Sequence, residues 1–222
     1  MQDEQERVGM TWLAIETSTT RGTVAWWEGG EVVIEKVFVS ERGHNAAIFG
    51  PLGELLDAIG DRRGLDGIVV GTGPGSYGGV RVGIAVATGL SLAREVPVIG
   101  VPSLVAAEGV RSDDYTVVGD ARRGSYFIAE VRGRRLVGEA LLVEESEFLE
   151  RLGVEGGVGG EVVTFDERPL ACEAGPVGSV HPTAGWLARV VAGMGEGERA
   201  ALEGKDLQPI YLRAPYITEP KK

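Results

Sequence analysis

The stretch from Gly71 to Arg94, GTGPGSYGGVRVGIAVATGLSLAR, restricts the fold more than any other part of the chain. It follows Gly67-Ile68-Val69-Val70, a short apolar run that reads as a buried strand. The strand breaks at Gly73-Pro74-Gly75, because proline has no N–H for a ladder and glycine permits positive φ. Ser76 is placed to cap a helix running to about Arg94. Gly79, Gly83 and Gly89 lie inside that helix, each costing about 1 kcal/mol against alanine, so about 3 kcal/mol must be recovered by packing. Gly79 and Gly83 are four apart and share a face. From Ile84 to Leu92 there is only alanine, valine, isoleucine, leucine, glycine, threonine and serine. A helix with a small-residue groove and no polar side expects another backbone to approach it closely. In a chain of 222 residues, that second surface can belong to a partner protein.

Glycine occurs 35 times without a period, which points to tight turns rather than to a fibrous or low-complexity chain. The formal charge is −11, unfavourable for stand-alone binding of nucleic acid, whose phosphates require lysine and arginine. Cys172 is the single cysteine, so neither an intramolecular disulfide nor a cysteine-based zinc site can form. The opening residues MQDEQERVGM are polar and acidic, and no apolar run reaches transmembrane length. A soluble, cytoplasmic protein that does not engage membranes is expected.

Strands are expected at 12–16, 22–28 and 31–39, with Gly29-Gly30 as a hairpin turn. A helix follows from Ala47, its Ile48, Leu52, Leu55, Leu56 and Ile59 at amphipathic spacing. Then come the strand at 67–71, the glycine-rich helix, a strand at 96–101 and a short helix around 103–111. The pattern restarts with strands at 115–119, 125–131 and 135–143 and a helix at 145–152. Residues 153–180 are irregular, followed by a helix at 183–194 and an apolar segment at 208–212. The two openings match: a strand ending at Glu16 precedes Arg21-Gly22-Thr23, and a strand ending at Asp120 precedes Arg123-Gly124-Ser125. This weak repeat describes two α/β halves, each β-β-β-α-β-α, facing across a cleft, with a boundary near 102–114.

GTGPGSYGGVRVG, continued by GLSLAR and VPVIGVPSL, resembles the TsaB (YeaZ) family, the non-catalytic relatives of the TsaD proteins. LAIETSTTRGTVA, the Arg42-Gly43-His44 segment, VVGDARRGSYFIAEV and PIYLR stand where that family has its counterparts. Gly78 departs from the family, which usually has threonine there. The resemblance implies the duplicated fold of the actin, Hsp70 and sugar-kinase clan, with halves at 1–105 and 106–222 and the second reduced. It also implies a role in making threonylcarbamoyladenosine in tRNA: a scaffold that pairs with a TsaD-like protein, joins a TsaE-like ATPase in a larger complex, and meets tRNA only indirectly. Alone, its apolar surface is expected to form a homodimer.

Several groups carry candidate chemistry. Gly73, Gly75 and Gly78 fit G-x-G-x-x-G between strand and helix, but the acid expected after the following strand is missing, and no lysine follows to make a Walker A loop. Glu16, Thr17, Ser18 and the mirror acid Asp120 are oxygen ligands suited to a magnesium-bound phosphate, so weak ATP or ADP binding, or a phosphotransferase of the same clan, is the alternative function. His44 and His181 are the only histidines, and neither has the i+4 partner that TsaD relatives use for their catalytic metal. No catalytic or metal-ligating residue is therefore assigned, and no cofactor is required. Trp26 and Trp27 face opposite sides of one strand. The arginines at 122, 123, 132, 134 and 135 form the one dense basic cluster, and a solvated face accounts for it. The partner interface is expected on the helices at about 44–60 and 76–94, through Ile48, Leu52, Leu55, Gly79, Val82, Gly83 and Val86.

Overall fold

The computed structural model of the chain describes residues 9–40, 45–60, 64–153, 160–167, 170 and 177–213. Strands β1 (Thr11–Glu16), β2 (Arg21–Glu28) and β3 (Glu31–Val39) form an antiparallel meander. Gly29 and Gly30, at φ 65° and 92°, turn β2 into β3, as the Gly-Gly pair predicts. A 3-10 turn at Asn45–Ile48 leads into α1 (Phe49–Ile59), followed by β4 (Gly67–Gly71), α2 (Tyr77–Arg94) and β5 (Val98–Val101). The first sheet runs β3-β2-β1-β4-β5, with β1, β4 and β5 parallel. β1 and β4 are buried along their whole length, and so read as continuous apolar runs, as central strands covered on both faces must.

A 3-10 turn at Ser103–Ala106 and β6 (Ala107–Glu108) connect to the second half. There β7 (Tyr115–Asp120), β8 (Ser125–Arg132), β9 (Arg135–Leu136), β10 (Leu141–Glu144), α3 (Glu145–Gly153), β11 (Glu161–Thr164) and β12 (Gly178–Ser179) follow in order. Their sheet runs β10-β8-β7-β11-β12, antiparallel through the hairpins and parallel beyond β7. Apart from β9, which pairs with β8 off this path, the order repeats that of the first sheet. The chain closes through β13 (His181–Pro182), paired with β6, then α4 (Ala184–Ala192) and α5 (Glu196–Leu202).

Three cores hold the layers together. On one face of the first sheet, Leu13, Ile15, Val24 and Trp26 pack against Ile48, Leu52, Leu55 and Ala87 of the α1–α2 layer. On the other, Trp12, Ala14, Ala25 and Trp27 meet Leu187, Ala188 and Val191 of α4 and the inner residues Tyr115, Val117, Ala129 and Val163 of the second sheet. The outer face of the second sheet is closed by α3, with Phe148 packed on Val118 and Val143 and stacked on Tyr126 at 4.3 Å. Both adjacent tryptophans are thus buried, on opposite faces, with a bulge between them.

Although α4 lies in the second half of the sequence, it sits on the first sheet. Ala184 N donates to Thr23 Oγ1 at 2.7 Å, and Gly185 N donates to Glu35 Oε1 at 2.8 Å. Arg134, 7% exposed, joins the halves from the second side: Nη1 donates to Ala107 O at 2.6 Å and Nε to Asp113 Oδ1 at 2.8 Å. Its guanidinium lies 3.8 Å from the Trp186 ring centre.

The structure corrects several sequence expectations. The strand expected over 135–143 is two short strands, because Gly138 takes φ 69° and turns the chain between them. The helix expected at 103–111 is one 3-10 turn and a two-residue strand. β11 lies inside the stretch read as irregular, where four residues gave too short a pattern, and α5 follows α4 as a separate helix. The reduction of the second half is in its helices: among the described residues its sheet carries only α3 on the outer face, where the first sheet carries α1 and α2. His44 and Cys172 lie outside the described residues.

Candidate functional site

Gly71, Gly75, Gly79 and Gly83 line the corner where β4 turns into α2, and the turn after β1 is seated on them. A Cβ at Gly71 would overlap Glu16 Oε2, one at Gly75 would overlap Ser18 O, and ones at Gly79 and Gly83 would overlap Thr17. The close approach expected at the Gly79–Gly83 groove is therefore made by this chain's own Thr17. Thr17 Oγ1 donates to Gly79 O at 2.8 Å, Ser76 N donates to Ser18 O at 2.6 Å, and Ser76 Oγ caps the helix by accepting from Gly79 N at 3.3 Å.

Glu16 has no exposed surface. Its Oε1 accepts from Ser18 N at 2.5 Å, while Oε2 has no partner in hydrogen-bond geometry. Burial pushes this carboxyl above the usual range, against the opposing pull of the Ser18 side chain and N–H, the Ser103 hydroxyl and the Thr17 N–H. At 6% and 2% exposure, Thr17 and Ser18 are closed off too. As they stand these groups are closed to a magnesium-bound phosphate by burial, with the Thr17 hydroxyl spent on α2 and with Glu16 Oε2 and Ser18 Oγ left without hydrogen-bond partners. In the mirror turn, Asp120 is exposed, but its Oδ1 accepts from Arg122 N at 2.6 Å and its Oδ2 lies 3.6 Å from the Arg122 guanidinium. Asp120 N donates to Asp166 Oδ2 at 2.9 Å, which brings an acid at the end of β7 beside one following the parallel β11. No group of three or more histidine, cysteine or acidic side chains able to hold a metal occurs among the described residues.

The C-terminal ends of β4 and β5, where open α/β sheets take ligands, are crossed by residues 207–211. Ile210 N donates to Thr72 O at 2.8 Å, and Leu207 lies over Gly100. The arginine cluster is largely neutralised: Arg122 is paired with Asp120, Arg132 with Glu130, Arg134 with Asp113 and Arg135 bidentately with Glu198.

The expected interface residues divide by burial. Ile48, Leu52 and Leu55 are 1%, 5% and 0% exposed, in the core between α1 and the sheet. Gly83 is buried, Gly79 faces Thr17, and Val82 and Val86 are half-buried. Spacing alone identifies the shared face of a helix but not what covers it, and this chain's own Thr17 covers the Gly79–Gly83 face. The outer faces are different residues. On α2, Tyr77, Arg81, Ala85, Thr88, Gly89 and Leu92 are exposed, Leu92 at 76%. On α1, Phe49 is 58% exposed. A Cβ at Gly50, Gly53 or Gly89 would meet nothing within 4 Å. Two neighbouring helices thus present open small-residue positions flanked by bare apolar side chains. Such a surface fits close helix packing against a partner.

Two sheets that share one five-strand order, each opened by a hairpin and extended by parallel strands, define a protein of duplicated α/β architecture. The model of the TsaD family, tRNA N6-adenosine threonylcarbamoyltransferase, matches residues 38–154. This chain belongs to that family, in its TsaB/YeaZ group. It is 37% identical over 124 residues to the tRNA threonylcarbamoyladenosine biosynthesis protein TsaB of Escherichia coli, covering 53% of each chain. It is 38% identical over 135 residues to an uncharacterised protein of Mycobacterium tuberculosis, covering 59% of this chain and 64% of that one. The matches thus span between half and two thirds of these relatives' lengths. The solved YeaZ of Pseudomonas aeruginosa superposes with a TM-score of 0.62 at 25% identity, covering 91% of this chain and all of that one.

Proposed function

We propose that this chain is a non-catalytic scaffold subunit of the machinery that makes N6-threonylcarbamoyladenosine in tRNA, binding and supporting a TsaD-like transferase. The observation that carries this reading is the contrast between the two sides of α2. Beneath its inner side Glu16, Thr17 and Ser18, the groups a phosphate would need, are buried and the Thr17 hydroxyl is bonded to Gly79, while its outer side and that of α1 offer bare small-residue helix faces. The TsaB relatives and the match to the TsaD model support a TsaD-like protein as the partner. The interface then runs through Phe49, Gly50 and Gly53 of α1 and Ala85, Gly89 and Leu92 of α2. The acidic balance and the paired arginines support indirect contact with tRNA, through the partner. A TsaE-like ATPase completes the complex, the chain works in the cytoplasm, and in the partner's absence the same helix faces pair two copies of it. Among the described residues no helix is long and apolar enough to cross a membrane.

The test is reconstitution. Modified nucleoside formed on tRNA is measured with the TsaD-like and TsaE-like proteins of the same organism, with and without this chain. Product that depends on the chain and is lost with Gly89→Leu supports the proposal. Equal product without the chain refutes it.

A further inference from the structure

Beyond α5 the chain returns across the first sheet as a strap, Leu207–Tyr211, whose end is fastened to the first turns of α2. Tyr211 stacks on Tyr77 with ring centres 5.3 Å apart and planes 27° from parallel. The Arg81 guanidinium lies 4.4 Å from the Tyr77 ring centre, and Arg81 Nε donates to Tyr211 Oη at 3.0 Å. All three side chains are exposed, so this cluster is not a piece of core. Ordering five residues costs conformational entropy. Against that cost the strap has the Leu207 contact over Gly100, the main-chain bond from Ile210 and this cluster. Its last residue is held by the cluster.

Tyr77, Arg81, Ala85 and Gly89 recur every four residues, so the cluster lies on the same stripe of α2 as the open small-residue positions. Tyrosine and arginine are also the residue types that most often anchor protein interfaces. We infer that the strap is a positioning element of the partner face: Tyr211 fixes Tyr77 and Arg81 as the N-terminal end of the surface that meets the TsaD-like protein. This inference rests on the proposed function, since the occupant is the same.

Dissociation constants of the full-length chain for that protein are measured by titration calorimetry for the wild type, Tyr211→Ala, Tyr211→Phe and Gly89→Leu, with thermal melts of each. Tyr211→Ala is expected to weaken binding about tenfold or more while melting with the wild type. Tyr211→Phe keeps the stack and is expected to restore most of the affinity. If Tyr211→Ala also lowers the melting temperature, Arg81→Met, an exposed change on the same cluster, takes its place with the same expectation. Wild-type affinity in Tyr211→Ala together with loss in Gly89→Leu overturns the strap inference and leaves the helix face standing. Wild-type affinity in Gly89→Leu overturns the proposed face, and a wild-type chain that does not bind overturns the proposed function itself.

Discussion

At Glu16, burial works against charge, and the consequence is a pH dependence of known sign. The folded carboxyl takes up its proton more readily than the unfolded one. Its stabilising contribution is therefore complete below the unfolded value near 4.5 and is lost as pH rises through the raised folded value. Glu16→Gln mimics the protonated form, so its stability relative to the wild type should increase as pH rises from the unfolded value and level off above the folded one. Urea midpoints between pH 4.5 and 8 measure this; parallel curves would show that Glu16 titrates alike in both states. The glycines of α2 make a second residue-level contrast. At Gly83 a side chain would press on Thr17, and overpacking of this kind costs about 1–3 kcal/mol. At Gly89 a Cβ meets nothing, so Gly89→Ala should gain about 0.5–1 kcal/mol from helix propensity. Equal effects on the thermal midpoint would contradict this division. Both glycines were legible in the sequence as interior breaks of helix propensity. The occupant of each groove was not, because Thr17 comes from a turn 62 residues away from Gly79.

Among the elements, those with a strong local signal were recovered and those fixed by distant contacts were missed. The cap at Ser76, the amphipathic face of α1 and the Gly-Gly hairpin follow from neighbouring residues. β11 is four residues long and is defined by its parallel pairing with β7, a contact across the chain that short-range pattern does not contain. The strap was visible only as an apolar segment at 208–212, and nothing local told of its place over β4 and β5. Arg134 was read as part of a solvated basic face. It is instead a buried strut, and Arg134→Ala should cost about 2–3 kcal/mol through the unmet Val105 and Ala107 carbonyls and lost stacking. A shift in the urea midpoint with an unchanged circular dichroism spectrum is the expected readout. An unchanged midpoint would return Arg134 to the surface.

For the whole molecule, duplication and the unequal covering of the two sheets set the frame on which the scaffold proposal rests. The repeated hairpin with an acid at each strand end was readable from Glu16 and Asp120, and the two sheets share its five-strand order, with β9 added in the second. What the repeat did not convey is that α4 leaves its own half to cover the first sheet, so that one core, from Trp12 to Val163, spans both halves. The alternative phosphotransferase reading requires magnesium-dependent nucleotide binding that Asp120→Ala removes. With the Thr17 hydroxyl bonded to Gly79 and Glu16 and Ser18 buried, wild type and variant are expected to give the same featureless calorimetric titration. The most direct test of the scaffold account is the solution mass of the chain by light scattering, alone and mixed with the TsaD-like protein of the same organism. A homodimer alone that converts to a mixed complex, and fails to convert with Gly89→Leu, is the expected result. A chain whose mass does not respond to that protein would contradict the account.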